Sequence, residues 1–147
     1  QLGLTSWGGY VNQQLTKEPG MALFMEKTYN EATRNLQIKV TAVPDRNIDN
    51  NPRLTVLITQ DSIVAPQDQT GFGTIPDYTH RHVLRKILTN FDGNAFPAAL
   101  TSGTSQEQNF TFALPAEWEA KHCSIVAYVH KNGTSKEVLQ AVEKHVL

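Results

Sequence analysis

Apolar residues at every second position are the feature that most constrains how this chain can fold. The pattern runs through residues 21–30 and again through residues 36–43. Because alternate side chains of an extended strand point to the same face, each segment is predicted to be a strand with one buried face. If Tyr29 lies opposite Leu36, both apolar sets fall on the same side of a hairpin, whose connection is the longer turn NEATRN. The pattern therefore predicts an antiparallel hairpin that covers one side of a core.

Two further segments are predicted to be strands in different parts of the fold. Residues 53–60, RLTVLITQ, are apolar on both faces, which is typical of a central strand. Residues 107–114 carry apolar side chains at alternate positions near their end, and Pro115 stops the strand. Residues 53–60 are thus expected to form a central strand, and residues 107–114 a strand with one buried face.

The last hairpin is predicted from residues 122–130 and 136–145, which flank the Asn-Gly pair at 132–133. Asn-Gly is the preferred pair for a two-residue type I′ turn. With that turn, Ala127 lies opposite Val138, and a slip by one residue would mix the apolar and polar faces. A helix over residues 136–147 is the alternative, because the same segment also carries a helical apolar stripe.

Residues 5–16 are predicted to form a short helix before the strands begin. Ser6 can serve as its N-cap, apolar residues recur at four-residue steps, and Pro19-Gly20 ends it. A lone amphipathic helix needs a surface to pack on, so we expect it to be the tail of an upstream domain. The predicted organisation is a helix and linker over residues 1–20 and a β-sandwich domain over residues 21–147.

Strand segments separated by long loops, without an internal repeat, indicate an all-β fold. The expected architecture is an antiparallel β-sandwich of Greek-key or jelly-roll type with a short N-terminal helix. The long loops are predicted at residues 61–79 and 92–106. Because loops of this length in compact domains are usually functional or disordered, they are the first places to look for a contact surface.

Composition excludes several classes of function. Hydrophobic residues make up 39% of the chain and charged residues 18%, with a net charge of −1. This charge provides no basic field for nucleic acid. The single cysteine, Cys123, cannot form a disulfide within the chain, and no apolar run has the length of a membrane span. The sequence begins at Gln1 without a signal-peptide pattern, so we expect a mature fragment or an excised domain.

His80 and His82 are the residues that most resemble a metal site. In a strand, residues two apart point the same way and both rings can bind zinc; in a helix they diverge. A helix capped by Thr79 and running to about residue 91 is an alternative to the strand. No third ligand is indicated nearby, so we expect neither metal nor cofactor. The favoured interpretation is a pair of partly buried imidazoles that form hydrogen bonds across the sheet.

Cys123 follows His122 directly, which raises the possibility of a thiol–imidazole catalytic pair. Adjacent residues of one strand face opposite ways, so the two side chains cannot pair. The predicted register places Cys123 opposite Val142 in the core and His122 opposite Glu143 outside it. The thiol is expected to be inert. Because no nucleophile elbow, P-loop or metalloprotease motif is present either, we expect no enzymatic activity.

Four aromatic residues lie in or beside the two long loops: Phe72, Tyr78, Phe91 and Phe96. Aromatic side chains supply large contact areas in binding surfaces, and they also cap the ends of cores. Both interpretations remain open at this point. Together with His80 and His82, these residues are the candidate binding residues.

Four segments in this order resemble the C-terminal domain of the twenty-eight-kilodalton outer-membrane protein (Omp28-like) family of Gram-negative Bacteroidetes-type bacteria. The segments are YNEATRNLQIKV, LTVLITQDSIVAPQ, YTHRHVLRKIL and CSIVAYVHKNGTSKEVLQAVE. The resemblance implies a β-sandwich behind a thioredoxin-like domain, a lipid anchor outside this chain, an outer-membrane location and a role as surface adhesin or receptor.

The function expected from these observations is that of a non-enzymatic binding or adhesion domain of an exported outer-membrane lipoprotein. Its partner would be an unknown protein or glycan at the cell surface, with no nucleic acid involved. An accessory domain of a thioredoxin-like redox protein and a carbohydrate-binding module are the alternatives.

Overall fold

The computed structural model describes residues 6–49 and 51–147. In these residues one helix, α1, precedes ten strands, and a 3₁₀ turn lies at Ala120–His122. The elements are α1 (Trp7–Leu15), β1 (Met21–Asn30), β2 (Asn35–Pro44), β3 (Arg53–Gln60), β4 (Ile63–Gln69), β5 (Gly73–His80), β6 (Val83–Ile87), β7 (Asn94–Ala95), β8 (Gln106–Ala113), β9 (Cys123–His130) and β10 (Val138–His145).

Two antiparallel sheets enclose the core. The smaller has the order β1-β2-β8; the larger has the order β10-β9-β3-β6, and β7 also pairs with β3. The apolar residues that point inward from both sheets belong to one buried cluster, which includes Leu36, Ile58 and Ile125. The all-β, sandwich-like architecture expected from the sequence is confirmed. Its finer assignment to a Greek-key or jelly-roll type stays a prediction.

The first hairpin has the predicted register. Tyr29 pairs with Leu36, and Asn30 pairs with Asn35 across a four-residue turn. Arg34 closes that turn in the left-handed backbone region, with φ +55°. The central position of β3 is confirmed as well, because it lies between β9 and β6 and is buried on both faces for most of its length.

The last hairpin is confirmed as two strands, but the predicted register is wrong. Val142, and not Val138, lies opposite Ala127. Val138 lies opposite His130, with a bulge before Gln140. The offset is four residues. Because this number is even, Val142 still faces the same side as Ala127.

The register shifts because a loop over residues 131–137 replaces the two-residue turn. The backbone N–H of Lys131 donates to the carbonyl of Glu137 at 3.0 Å, which closes the longer loop. The Lys131 ammonium group also pairs with the Glu137 carboxylate at 2.6 Å. As a consequence Glu143 lies opposite Val126 and does not face His122.

Residues 61–79 do not form the predicted loop. They contain β4 and most of β5, which pair with each other as a separate two-stranded sheet. Pro66 and Pro76 break the usual strand pattern of this segment. They are tolerated because each strand has an unpaired edge and the pairing is irregular between Ala65 and Gln67. Residues 92–106 are mainly loop, as predicted, with the short strand β7 inside them.

Helix α1 forms where the sequence predicts it, and none of its residues is buried. Ser6 occupies the N-cap position, although its side chain makes no capping hydrogen bond. The apolar side chains of Trp7, Val11 and Leu15 are exposed. Packing of this helix on an upstream domain stays a prediction.

Candidate functional site

The β4–β5 hairpin lies outside both sheets of the sandwich. Its two strands form hydrogen-bonded ladders only with each other. Phe72 at its tip is 81% exposed, Val64 is 61% exposed and Tyr78 is 43% exposed. The hairpin therefore presents apolar side chains to solvent that the fold itself does not cover.

A cleft of about 670 Å³ runs along this hairpin. The rings of Tyr78 and His80 pack edge to face at its wall, with centroids 4.9 Å apart and planes inclined by 72°. Asp68 accepts a hydrogen bond from the Thr74 hydroxyl at 2.6 Å. The lining residues are Gln67, Asp68, Gln69, Tyr78, Thr79, His80 and Arg81. The cleft combines an aromatic wall with amide, carboxylate and guanidinium groups.

His80 and His82 do not form the expected buried pair. His80 ends β5, whereas His82 lies in a turn with φ +51°, so the chain between them is neither one strand nor a helix. The His82 side chain is exposed, and its Nδ1 lies 3.5 Å from Oδ1 of Asp61. The backbone N–H of His82 donates to the same carboxylate oxygen. Asp61 thus stabilises the left-handed turn that separates the two imidazoles.

The described part of the chain contains no group of three or more His, Cys, Asp or Glu side chains that could hold a metal ion. Cys123 is fully buried in the core, as predicted. Burial raises the pKa of its thiol above the ordinary value, which keeps it protonated and unreactive. His122 does not face Glu143; it lies in the 3₁₀ turn, with Nε2 3.6 Å from Glu119.

Trp118 closes one end of the sandwich. Its ring is buried and packs against Phe112 at 5.7 Å between centroids, while the Arg85 guanidinium lies 4.7 Å above it. Arg34 donates to the backbone carbonyls of Leu114 at 3.1 Å, Pro115 at 2.8 Å and Trp118 at 2.6 Å. These contacts fix the turn after β8.

The aromatic residues of the second loop separate into two roles. Phe91 is 87% exposed, whereas Phe96 is partly buried against the core. Phe96 lines a pocket of about 480 Å³ together with Arg53, the first residue of β3. Arg53 was missed as a candidate because an arginine at the start of a strand is an ordinary feature of sequences.

The loop over residues 92–106 is fastened to the loop that follows β2. The Ser102 N–H donates to the Asn47 side-chain oxygen at 3.0 Å, and its hydroxyl donates to the Asp45 carbonyl at 2.8 Å. The Ile48 N–H also donates to the Leu100 carbonyl at 2.9 Å. Hydrogen bonds of this kind hold the pocket between the two loops in one shape.

Fold and site together define an all-β sandwich domain with a separate hairpin and a loop pocket lined by Phe96 and Arg53, among others. In the described residues, no helix has the length and apolar character needed to cross a membrane. The sequence profile of the outer membrane protein Omp28 family matches residues 1–147. The chain therefore belongs to this family, and both the resemblance and the outer-membrane location predicted from the sequence are confirmed.

The solved structures that share the fold include two proteins of Porphyromonas gingivalis. HBP35 of Porphyromonas gingivalis has a TM-score of 0.68 and 20% identity, over 86% of this chain and 40% of that one. A domain of the outer membrane lipoprotein Omp28 from the same organism has a TM-score of 0.57 and 19% identity, over 84% of this chain and 85% of that one. This chain thus spans well under half of HBP35. No curated protein matches the sequence.

Proposed function

We propose that this chain is a non-enzymatic binding domain at the outer-membrane surface, acting as an adhesin or receptor. Its contact surface consists of the β4–β5 hairpin and the loop over residues 92–106. The partner is a protein or glycan at the cell surface.

The observation that carries this proposal is the free-standing hairpin. A two-stranded sheet alone is marginally stable in water, because it buries little apolar surface. This one also exposes Phe72 and Val64. Burying their side chains would stabilise a complex by about 25 cal/mol per Å² of apolar surface removed from water. A partner that covers the tip would both stabilise the hairpin and bury these side chains.

The groups most similar to catalytic residues support a non-enzymatic role. Ser124 Oγ lies 3.0 Å from Nδ1 of His145, yet the serine is only 6% exposed and sits within the sheet. The buried Cys123 thiol has a raised pKa, as described above. Neither nucleophile is placed where a substrate could reach it.

The test compares two exposed phenylalanines, Phe72 at the hairpin tip and Phe24 on the outer face of β1. Beads coated with the wild-type domain are applied to epithelial cells, to extracellular-matrix proteins and to outer-membrane vesicles. Phe72→Ser is expected to abolish capture, whereas Phe24→Ser, on the outer face of β1, is expected to leave it unchanged. Loss of capture by both variants, or no capture by the wild-type domain on any surface, would contradict the proposal.

A carbohydrate-binding module is the second candidate, and the hairpin cleft favours it. Sugars are bound by aromatic faces together with planar polar side chains, and the cleft provides Tyr78, Asp68 and Arg81. A glycan array is the appropriate assay. Binding of neutral glycans that is lost in Tyr78→Ala and retained in Phe91→Ala would support this function, and an array without binding would exclude it.

A further inference from the structure

The pocket between the loop after β2 and the loop over residues 92–106 exposes polar and apolar atoms in about equal measure. Its charged lining residues are Asp49 and Arg53. The apolar walls are formed by Ile48, Pro52, Ala95, Phe96, Pro97 and Leu100, among others. A pocket of about 480 Å³ falls within the usual size range of small-ligand sites.

Arg53 carries a positive charge that the described part of the chain does not pair. Its Nε atom is buried and has no hydrogen-bond partner there. No carboxylate of the described residues lies within 4.0 Å of its guanidinium nitrogens, so even Asp49, which lines the same pocket, forms no ion pair with it. An unsatisfied buried donor on a charged group costs free energy, and an anion in the pocket would offset the charge of that group.

The stem of Arg53 is held in place from two sides. Arg53 pairs with Ala95 of β7 and with His130 of β9. Gly93 lies so close that a Cβ atom there would be 2.8 Å from the Arg53 Cβ. The backbone and Cβ of Arg53 are therefore held in place, and the side chain reaches the pocket from this position.

The neighbouring His130 does not supply the missing anion. Its Nδ1 lies 3.0 Å from the Lys131 carbonyl oxygen, which can only accept, so Nδ1 carries the hydrogen. Its Nε2 forms a hydrogen bond with the Thr55 hydroxyl at 3.3 Å. Both ring nitrogens are therefore occupied by groups other than the Arg53 guanidinium.

We infer that this pocket binds a carboxylate group, with the Arg53 guanidinium as its ion-pair partner. The planar fork of arginine matches the two oxygens of a carboxylate. The apolar part of the ligand packs on Phe96 and the adjacent prolines. Two surface molecules supply this chemistry, the uronic acid of an acidic glycan and the C-terminal residue of a peptide.

The inference rests on the proposed binding function and names the ligand class for the loop part of its contact surface. The experiment is a titration of the ¹⁵N-labelled domain followed by NMR. Methyl glucuronide and N-acetyl-dialanine are the carboxylated probes; methyl glucoside and the dialanine amide are their neutral controls. We expect saturable shifts at Arg53, Ala95 and Phe96 with one or both carboxylated probes, and none with the controls. The probe that binds identifies the source of the carboxylate.

Three variants separate the ion pair from general effects on folding. Arg53→Gln is expected to weaken carboxylate binding by roughly tenfold or more, as expected for a charged hydrogen bond. Asp49→Asn removes the carboxylate that lines the pocket and is expected to strengthen binding severalfold, a gain that misfolding cannot produce. Arg46→Gln is the matched control, because Arg46 pairs with Asp45 and Glu18 on the surface, and its binding should stay at the wild-type value.

Equal shifts with carboxylated and neutral probes, or no shifts with any probe, would overturn the inference. So would an Asp49→Asn variant with unchanged affinity. These outcomes are distinguishable from failure of the proposed function. Capture that depends on Phe72 while no carboxylate binds would leave the binding domain in place and remove only this pocket from its surface.

Discussion

The substitution Gly93→Ala tests how tightly the loop over residues 92–106 is packed on the larger sheet. Gly93 has φ +78°, and an added Cβ would lie 2.8 Å from the Arg53 Cβ and 3.0 Å from both the His130 Nε2 and the Leu54 carbonyl oxygen. Two costs therefore add. The left-handed backbone costs an alanine about 1–2 kcal/mol, and overpacking against atoms that cannot move aside costs about 1–3 kcal/mol.

The expected loss is the sum of these two terms, about 2–5 kcal/mol. This is a large share of the roughly 5–15 kcal/mol by which domains are usually stable. Gly103→Ala is the matched control, because Gly103 lies in the same loop with φ +74° and has no atom within 4 Å of an added Cβ. The Gly103→Ala variant should therefore lose only the backbone contribution, about 1–2 kcal/mol of unfolding free energy.

The assay is urea denaturation of the wild-type domain and both variants, followed by tryptophan fluorescence. The free energy of unfolding of the Gly93 variant should lie about 1–3 kcal/mol below that of the Gly103 variant. Equal values for the two variants would refute the reasoning, since they would show that the space around Gly93 accommodates a methyl group.

Three further predictions concern stability and reactivity. Arg34→Ala removes three charged hydrogen bonds to the turn after β8 and is expected to destabilise the domain by about 2–3 kcal/mol; recovery of full stability in urea denaturation would show that water replaces these bonds. Hydrogen bonds from Lys131 and Lys17 lower the pKa of Glu137 from 4.5 to about 2. The ionised carboxylate thus stabilises the fold fully above about pH 5, and this stabilisation is lost as the pH falls toward 2. Between those two pH values, the free energy of unfolding of Glu137→Gln should therefore fall less than that of the wild type. Equal falls for both proteins in acid denaturation would contradict the assignment. Cys123, buried and with a raised pKa, should react with iodoacetamide only in urea-unfolded protein, and rapid labelling of the native domain at pH 8, read by mass spectrometry, would show that the core opens.

The sequence predicts the sandwich well where two independent signals agree. In β1 and β2, the alternation of apolar residues and the position of the turn both predict that Tyr29 lies opposite Leu36, and the structure has this pairing. In β3, apolar residues on both faces indicate a central strand, which is the place the strand takes. The predicted and observed pairings agree because every inward-facing position of these strands must carry an apolar side chain to fill the core.

Prediction fails where one local signal competes with contacts that are distant in the sequence. The Asn-Gly pair at 132–133 is a strong hairpin signal, yet ion pairs of Glu137 with Lys131 and Lys17 accompany a loop four residues out of register with it. Lys17 lies far away along the chain, so no inspection of the hairpin alone could include it. The core tolerates the shift because an even offset keeps Val142 on the buried side.

The sequence identifies the candidate aromatic residues by their place in or beside the long segments, but it does not identify the charged residue of the loop pocket. Phe72, Tyr78 and Phe91 are exposed in the structure, whereas Phe96 is divided between the core and the pocket. The expected histidine pair was wrong because a hydrogen bond from the backbone of His82 to Asp61 turns the chain between the two rings. Arg53 becomes notable only because its buried Nε has no hydrogen-bond partner among the described residues, which a sequence does not record.

These observations separate what stabilises the domain from what remains available for binding. The buried cluster is assembled from both sheets of the sandwich, and β4 and β5 contribute no residue to it. Replacing hairpin residues should therefore change the global stability little, while replacing Ile58 or Ile125 with alanine should cost about 2–5 kcal/mol. A surface hairpin that the core does not require can change its sequence without unfolding the domain. This freedom is what a binding surface needs if it is to acquire a new partner on an unchanged scaffold.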